Sequence, residues 1–449
     1  MTGDSGKFKS MVRPSRLALC VMGCLFQVCG CSQTMPDRAA RMTRSYVYYL
    51  DGAGGGGMIS NWAGGVREGM LDAGYDGAGE IFRWNTGMGV VADQMASVDY
   101  KRAKAKELAR EIEEYQKSNP NAPITLMGLS AGTAVVAYVL EALPPNVMVD
   151  TVVMLSGPLS SEHNLTIALR HVRSKFFVFT SERDEVLGVA VPFVGTADRE
   201  SAATGTIGMV GPRLPRGATS ETRELYRKIA KVPRNEVFER YGNYGHHVDT
   251  VKAPFVQAFV APLVMKAGAA RTPAAMLASA PGRIVNPDFQ RWERFPVGSW
   301  AEFEGYQIIK GKHQPLRMKA ILESKTSGNL LIHREFSGPA AELSPLSAEF
   351  FVVAQVDPRD HPLTHPSAVV RQQPPQSLTI SGRQLTSQVR SVQSEGEFPA
   401  WGRNVEATIW SCSDVPGGIV QIELASRMAG QEAKFFGKLV DWNASDRPQ

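Results

Sequence analysis

Gly128-Leu129-Ser130-Ala131-Gly132 follows directly on the apolar run Ile124-Thr125-Leu126-Met127 and precedes a small-residue apolar segment, Thr133 to Leu143. The run reads as a buried strand and the segment as a helix. A strand-to-helix turn this tight forces its central residue into a strained backbone conformation. The flanking positions must be glycine, because a Cβ there would strike the neighbouring strand or helix. The consequence is a serine hydroxyl held up at the carboxyl end of a sheet.

Strand-like and helix-like runs alternate around this turn. The strand-like runs are Tyr46–Leu50, Ile81–Trp84, Ile124–Met127, Val152–Leu155, Phe176–Thr180 and Asn235–Arg240. Between them lie helical patterns at Asn61–Ala73, Lys101–Lys117, Thr133–Leu143, Leu165–Arg173 and Ser220–Lys231. Alternation of this kind predicts an α/β fold with a mostly parallel sheet covered by helices on both faces. The stretch Leu187 to Gly211 lacks clear periodicity and reads as a long loop, either a lid or a surface excursion.

The glycine-serine pentapeptide, with its strand before and helix after, resembles the nucleophile elbow of the α/β-hydrolase superfamily. That resemblance implies a serine nucleophile at Ser130, followed in chain order by an acid and then a histidine. Asp184 lies just past the Phe176–Thr180 strand, where the family places its acid, with Glu182 and Glu185 as rivals. Only His246 and His247 lie after Asp184 and before the composition changes near residue 270. His246 is preferred, because a histidine directly after glycine is the commoner family pattern; His247 is the alternative base. The glycine-rich Asp51–Gly57 loop after Tyr46–Leu50 resembles the family's oxyanion loop with Asp51 in place of histidine. By that match Ala53 and Ala131 supply the two backbone N–H groups of an oxyanion hole.

The same loop spells Gly52-x-Gly54-x-x-Gly57, a dinucleotide fingerprint. That motif wants an acidic residue at the end of the next strand, and this one ends in Arg83-Trp84. No Gly-Lys-Ser/Thr follows, so a phosphate-binding loop of that type is excluded. No cofactor is expected.

The amino terminus reads as targeting rather than fold. Lys7, Lys9, Arg13 and Arg16 precede a short apolar stretch, Leu17 to Val28, which ends in Val28-Cys29-Gly30-Cys31. This resembles the bacterial lipobox. The implication is a signal at 1–31, lipidation at Cys31, and an envelope location, at the outer membrane if the host has one. A plain secretory signal is the alternative. The 49 basic and 44 acidic residues leave a net charge of +5. Four of the basic residues sit in the signal, so the mature chain is near balance and no nucleic-acid partner is implied. Of the five cysteines only Cys412 would remain as a free thiol.

The expected division is an α/β-hydrolase domain over 44–266, a Pro/Ala-rich linker over 267–281, and a smaller all-β domain over 282–449. In the last, alternating segments recur between turn residues at Ser299–Ile309, Met318–Glu323, Asn329–Arg334, Ala348–Val356, Leu378–Ile380, Val405–Trp410, Gly418–Leu424 and Lys434–Trp442. Arg371–Gln376, with Pro374 and Pro375, reads as a loop. Trp292, Trp300, Trp401, Trp410 and Trp442 serve either a small β core or a surface-binding face. His361 and His365 are spaced like paired metal ligands, but Pro362 disfavours a helical pair and no third ligand is evident, so no metal is expected. Together these readings predict an envelope-anchored serine hydrolase of the carboxylesterase or lipase type, acting on a lipid or small ester. The alternative is a non-catalytic binding lipoprotein on the same scaffold, with the β domain carrying surface or polymer binding.

Overall fold

A computed structural model describes residues 37–55, 62–88, 90–191, 195–200, 203–265, 282–309, 311–337, 347–398, 402–428 and 431–444. The expected signal with Cys31, the linker 267–281, Gly56, Gly57 and Trp401 lie outside these residues.

Six parallel strands form the first sheet: β1 (Tyr46–Leu50), β2 (Ala78–Ile81), β3 (Ile124–Leu129), β4 (Val149–Leu155), β5 (Val172–Thr180) and β6 (Ile229–Pro233). Their spatial order is β2-β1-β3-β4-β5-β6. β1 pairs β2 on one side, with Tyr46 opposite Ala78, and β3 on the other, with Tyr46 opposite Ile124. The chain therefore steps outward in opposite directions from β1 and β3. In such sheets a crevice opens beyond the carboxyl ends of the strands at that reversal.

Every residue of β1 and β3 is buried, and successive side chains feed opposite cores. Tyr46, Tyr48 and Leu50 pack with Leu108 and Ile112 of the helix Val98–Ser118 and with Val135 and Val139 of the helix Gly132–Ala142. Val47 and Tyr49 pack with Val66 and Met70 of the helix Trp62–Asp72 and with Phe255 and Phe259. Two-sided burial explains why these strands read as continuous apolar runs.

Two assignments differ from the sequence reading. Asn235–Arg240 is no strand: Glu236–Tyr241 is a 3₁₀ helix, capped by the Asn235 side chain accepting from the Val237 N–H. The sixth strand is β6, at the end of what reads as the helix Ser220–Lys231, because that helix stops at Tyr226. Leu187–Gly211 is also more ordered than a plain loop. It holds a π-helical turn at Val186–Ala190 and a short helix at Ile207–Val210.

The later chain forms an antiparallel sheet of β8 (Trp300–Ile309), β9 (Lys312–Lys325), β10 (Asn329–Ser337), β11 (Ser347–Val353), β13 (Val369–Ile380), β14 (Arg383–Phe398), β15 (Gly402–Ser411), β16 (Ile419–Met428) and β17 (Gln431–Asn443). Its order is β13-β14-β15-β16-β17-β8-β9-β10-β11. A separate pair joins β7 (Ile284–Val285) to β12 (Gln355–Val356). Arg371–Gln376 is thus part of strand β13, with a register shift between Gln373 and Gln376 that absorbs the two prolines. β14 escapes a hydrophobicity reading because Ser387 and Ser394 occupy buried positions beside Leu385, Val389 and Val392.

The two sheets meet. β11 pairs β6 through Ala348 and Lys231. Leu331, Phe351, Val353 and Val356 enter the same core as Phe238 and Phe259. The Phe351 ring lies 4.9 Å from that of Phe259, and Asn329 Nδ2 donates to the Ala258 carbonyl at 2.8 Å.

Candidate active site

Ser130 sits at the end of β3 with φ of 48°, a left-handed conformation rare outside glycine. The reason lies on both sides. A Cβ on Gly128 would come 2.9 Å from Thr133 Cα, and one on Gly132 would collide with the Leu50 carbonyl oxygen. The turn is therefore pressed against the end of β1. The Ser130 N–H is held by the Leu155 carbonyl at 2.9 Å, and the Ser130 carbonyl accepts from Thr133 Oγ1 at 2.6 Å. The side chain is half-buried.

Of the two histidines, the structure brings His247 to Ser130. His247 Nε2 lies 2.8 Å from Ser130 Oγ. His247 Nδ1 lies 2.9 Å from both carboxylate oxygens of Asp184. The side chains of His247 and Asp184 are only 9% and 1% exposed. His246, preferred on sequence, points elsewhere: its ring is 57% exposed and pairs with Glu185 3.0 Å away. Glu182 is exposed as well. The physical reason is the loop that carries the pair. Gly245, at φ of 99°, turns the chain. Asp249 Oδ2 then accepts from the N–H groups of Tyr244 and His246 at 2.9 and 3.1 Å. Ser181 Oγ donates to the Gly245 carbonyl at 2.7 Å, tying this loop to the one that holds Asp184. Asp184 is itself fixed by the Leu187 N–H at 3.0 Å.

The Asp51–Gly55 loop leaves β1 beside the Ser130 turn. It is fastened by groups the sequence reading did not single out. Trp84 Nε1 donates to the Asp51 carbonyl at 2.8 Å, and Asn85 Nδ2 to the Gly52 carbonyl at 3.0 Å. Asp93, almost fully buried, accepts from the Gly54 N–H at 2.7 Å, from Asn85 at 2.9 Å, and from both the N–H and Oγ1 of Thr86 at 2.6 Å. Burial pushes its carboxyl up, but the hydrogen bonds from Thr86, Gly54 and Asn85 outweigh it and hold the group below its ordinary pKa. Among the described residues, no hydrogen bond uses the N–H of Ala53 or Ala131. Backbone donors left unpaired in this way are suited to receive a negatively charged oxygen.

His361 and His365 do not form a ligand pair. His365 Nδ1 lies 2.6 Å from Ser367 Oγ, while His361 faces Asp288 at 3.5 Å. A cavity of about 430 Å³ opens far along the chain from Ser130, on one face of β13–β17 and β8. Tyr306, Phe436 and Leu424 line it together with Arg371 and Glu423, and the Tyr306 and Phe436 rings stack at 5.4 Å.

No protein-family model matches the chain, and no curated protein matches it. Among solved structures, a cutinase-like protein from Cryptococcus sp. aligns over 48% of this chain and 88% of its own, with 15% identity and a TM-score of 0.25. Bacillus licheniformis lipase BlEst2 in its propeptide form aligns over 90% of this chain and 96% of its own, with 10% identity and a TM-score of 0.25. The hypothetical lipoprotein YmcC from Escherichia coli aligns over 31% of this chain and 87% of its own, with 10% identity and a TM-score of 0.14. Likeness at this level carries no argument about fold or activity.

Proposed function

We propose that the chain is a serine hydrolase of carboxylic esters. The observation that carries this reading is the hydrogen-bonded series from Ser130 Oγ through His247 to Asp184, at 2.8 and 2.9 Å. A serine hydroxyl is a poor nucleophile unless a base takes its proton. His247 Nε2 accepts that proton as Ser130 Oγ attacks the ester carbonyl. Asp184 holds the imidazole through Nδ1–H and stabilises its charged form. The N–H groups of Ala53 and Ala131 receive the negative oxygen of the tetrahedral intermediate. His247 then gives the proton to the departing alcohol, and water releases the acid from the acyl-enzyme by the reverse sequence. The envelope anchor at Cys31 belongs to the same proposal and rests on the lipobox resemblance. The ester is a lipid or a small ester.

The test is hydrolysis of p-nitrophenyl esters from acetate to palmitate, beside labelling with a serine-directed fluorophosphonate. Turnover and labelling should both vanish in Ser130→Ala, a small change at a turn that leaves the fold intact. Labelling that persists in Ser130→Ala would sink the mechanism.

The cavity lined by Tyr306 and Phe436 favours a second reading, in which the chain is a binding lipoprotein and the β part carries the function. Absence of both turnover and labelling in the wild-type chain would select it.

A further inference from the structure

A second cluster of chemistry-bearing side chains lies away from Ser130. His163 stands on the loop after β4, and Asp198 and Glu200 on the segment 195–200 after β5. We propose that His163 Nδ1 and the carboxylates of Asp198 and Glu200 form a binding site for a divalent cation of the zinc class.

One donor atom from each of the three residues lies within 4.8 Å of the other two. His163 Nδ1 is 2.9 Å from Asp198 Oδ2 and 3.5 Å from Glu200 Oε1. Residue His163 is only 5% exposed. Its Nδ1 is shut off from solvent, yet makes no hydrogen bond. The Asp198 oxygen is close enough for an ion pair but lies off the line a ring N–H would need. Burial lowers the pKa of the His163 ring, but Asp198 and Glu141 outweigh it and raise it to about 10, so the ring carries a proton between these carboxylates. A metal ion between the three donors takes the place of that proton at Nδ1.

The far side of the ring supports the same assignment. His163 Nε2 lies 3.4 Å from Glu141 Oε1, and Glu141 is paired with Arg102 at 2.9 Å. A carboxylate that accepts from the second ring nitrogen is the usual way a ligating histidine is oriented and kept in the right tautomer. Asp198 is also pre-positioned, since the Ser160 N–H reaches both its oxygens at 3.3 Å.

The donor set selects the ion. Calcium and magnesium take oxygen ligands, whereas zinc takes imidazole nitrogen and carboxylate oxygen together. Ligands at about 2.0–2.2 Å in a tetrahedron stand roughly 3.3–3.6 Å apart. The 3.5 Å pair already has that spacing, and the 2.9 Å pair must open slightly. Two positive charges balance Asp198 and Glu200, while Arg102 balances Glu141. The Glu200 side chain is 47% exposed, so water can take the fourth position. The ion would staple the loop after β4 to the segment that follows Asp184 in the chain. That segment is already joined to the loop by the Ala197 N–H donating to the Pro158 carbonyl at 3.0 Å and the Ser160 N–H on Asp198, and is held elsewhere by Lys101 Nζ donating to the Ala197 carbonyl and Arg199 Nη2 donating to the Gln94 carbonyl, each at 3.2 Å.

The experiment is calorimetric titration of the full chain with zinc chloride after chelator dialysis, together with thermal unfolding. The wild-type chain should bind one equivalent and gain several degrees in Tm, with no gain from calcium at the same concentration. His163→Gln should abolish the equivalent. Glu200→Gln, at a half-exposed side chain that leaves the fold intact, should weaken it at least tenfold. The proposal is overturned if the wild-type chain takes up no zinc, or if Glu200→Gln and His163→Gln both bind it as tightly as wild type.

Discussion

The two sheets of this molecule bury their strands in different ways. β1 and β3 are buried along their whole length, and cores pack on both faces. β13 is exposed over most of its length, and β14 alternates between buried and exposed positions. The first arrangement leaves side chains no freedom along the strands, so polar side chains that are to meet are left to the loops at the strands' carboxyl ends. Ser130, Asp184 and His247 all stand on such loops. The second arrangement leaves one face open, and the cavity beside Tyr306 and Phe436 occupies it. The difference is between a rigid platform that aims three side chains and a surface that offers many.

The sharpest way to break this contrast is at the adjacent histidines. His247→Ala should lower kcat/KM for a soluble ester by roughly 10³–10⁶-fold, as removal of a base from such a unit does. His246→Ala should change it by less than about threefold. Equal losses in the two variants would mean that the exposed ring also reaches Ser130 in solution.

A smaller effect tests whether the sheets are independent. Phe351 sits on β11 yet packs on Phe238 and Phe259. Phe351→Ala should cost about 3–5 kcal/mol, the usual range for an aromatic core truncation. Chemical unfolding followed by both fluorescence and circular dichroism should shift as one transition. Two separate transitions, with the one assigned to the parallel sheet unmoved, would show that the shared core does not couple them.

The smallest effect concerns pH. Asp288 lies 2.9 Å from Arg291 and 3.5 Å from His361. Burial pushes its carboxyl up, but Arg291, His361 and Arg334 outweigh that and hold it well below the ordinary carboxylate range. A depressed carboxyl adds stability that is present above its unfolded pKa, about 3.9, and is lost as the pH falls through and below that value. Asp288→Asn should therefore cost on the order of 1–2 kcal/mol at pH 7, and the difference should shrink progressively as the pH falls from about 4 to 2. A difference that stays constant from pH 7 to pH 2 would assign the loss to packing instead.

The parts of the fold most legible in the sequence are those with one dominant constraint. Tyr46–Leu50 is strand β1 to the residue, because two-sided burial demands five apolar positions in a row. The Ser130 turn is legible because only glycine fits at 128 and 132. The choice between His246 and His247 is not, since it depends on which way Gly245 and Asp249 turn the chain. Asp93 carries no local pattern. Its importance comes from donors that all precede it in the sequence, Gly54 at a distance and Asn85 and Thr86 on a nearby turn. His163 and Asp198 are likewise brought together by the fold, with no spacing in the chain to announce them. β14 shows the converse failure, where buried serines erase the apolar alternation that marks its neighbours.

The prolines of β13 have a bearing on how the protein behaves in a crowd. The described strands line up as a single fifteen-stranded sheet, joined at the β11–β6 seam, and its two outermost strands are β2 and β13. An open strand edge is a template on which another chain can add itself. β2 is four residues long and gives such a template little to hold. β13 is twelve residues long and exposed, but Pro374 and Pro375 remove two amide donors from its middle and break its register. A neighbouring copy that tried to extend the sheet there would run out of partners after a few residues. The pair of prolines thus acts as a guard against aggregation, at the margin where a sheet this wide is most vulnerable to it.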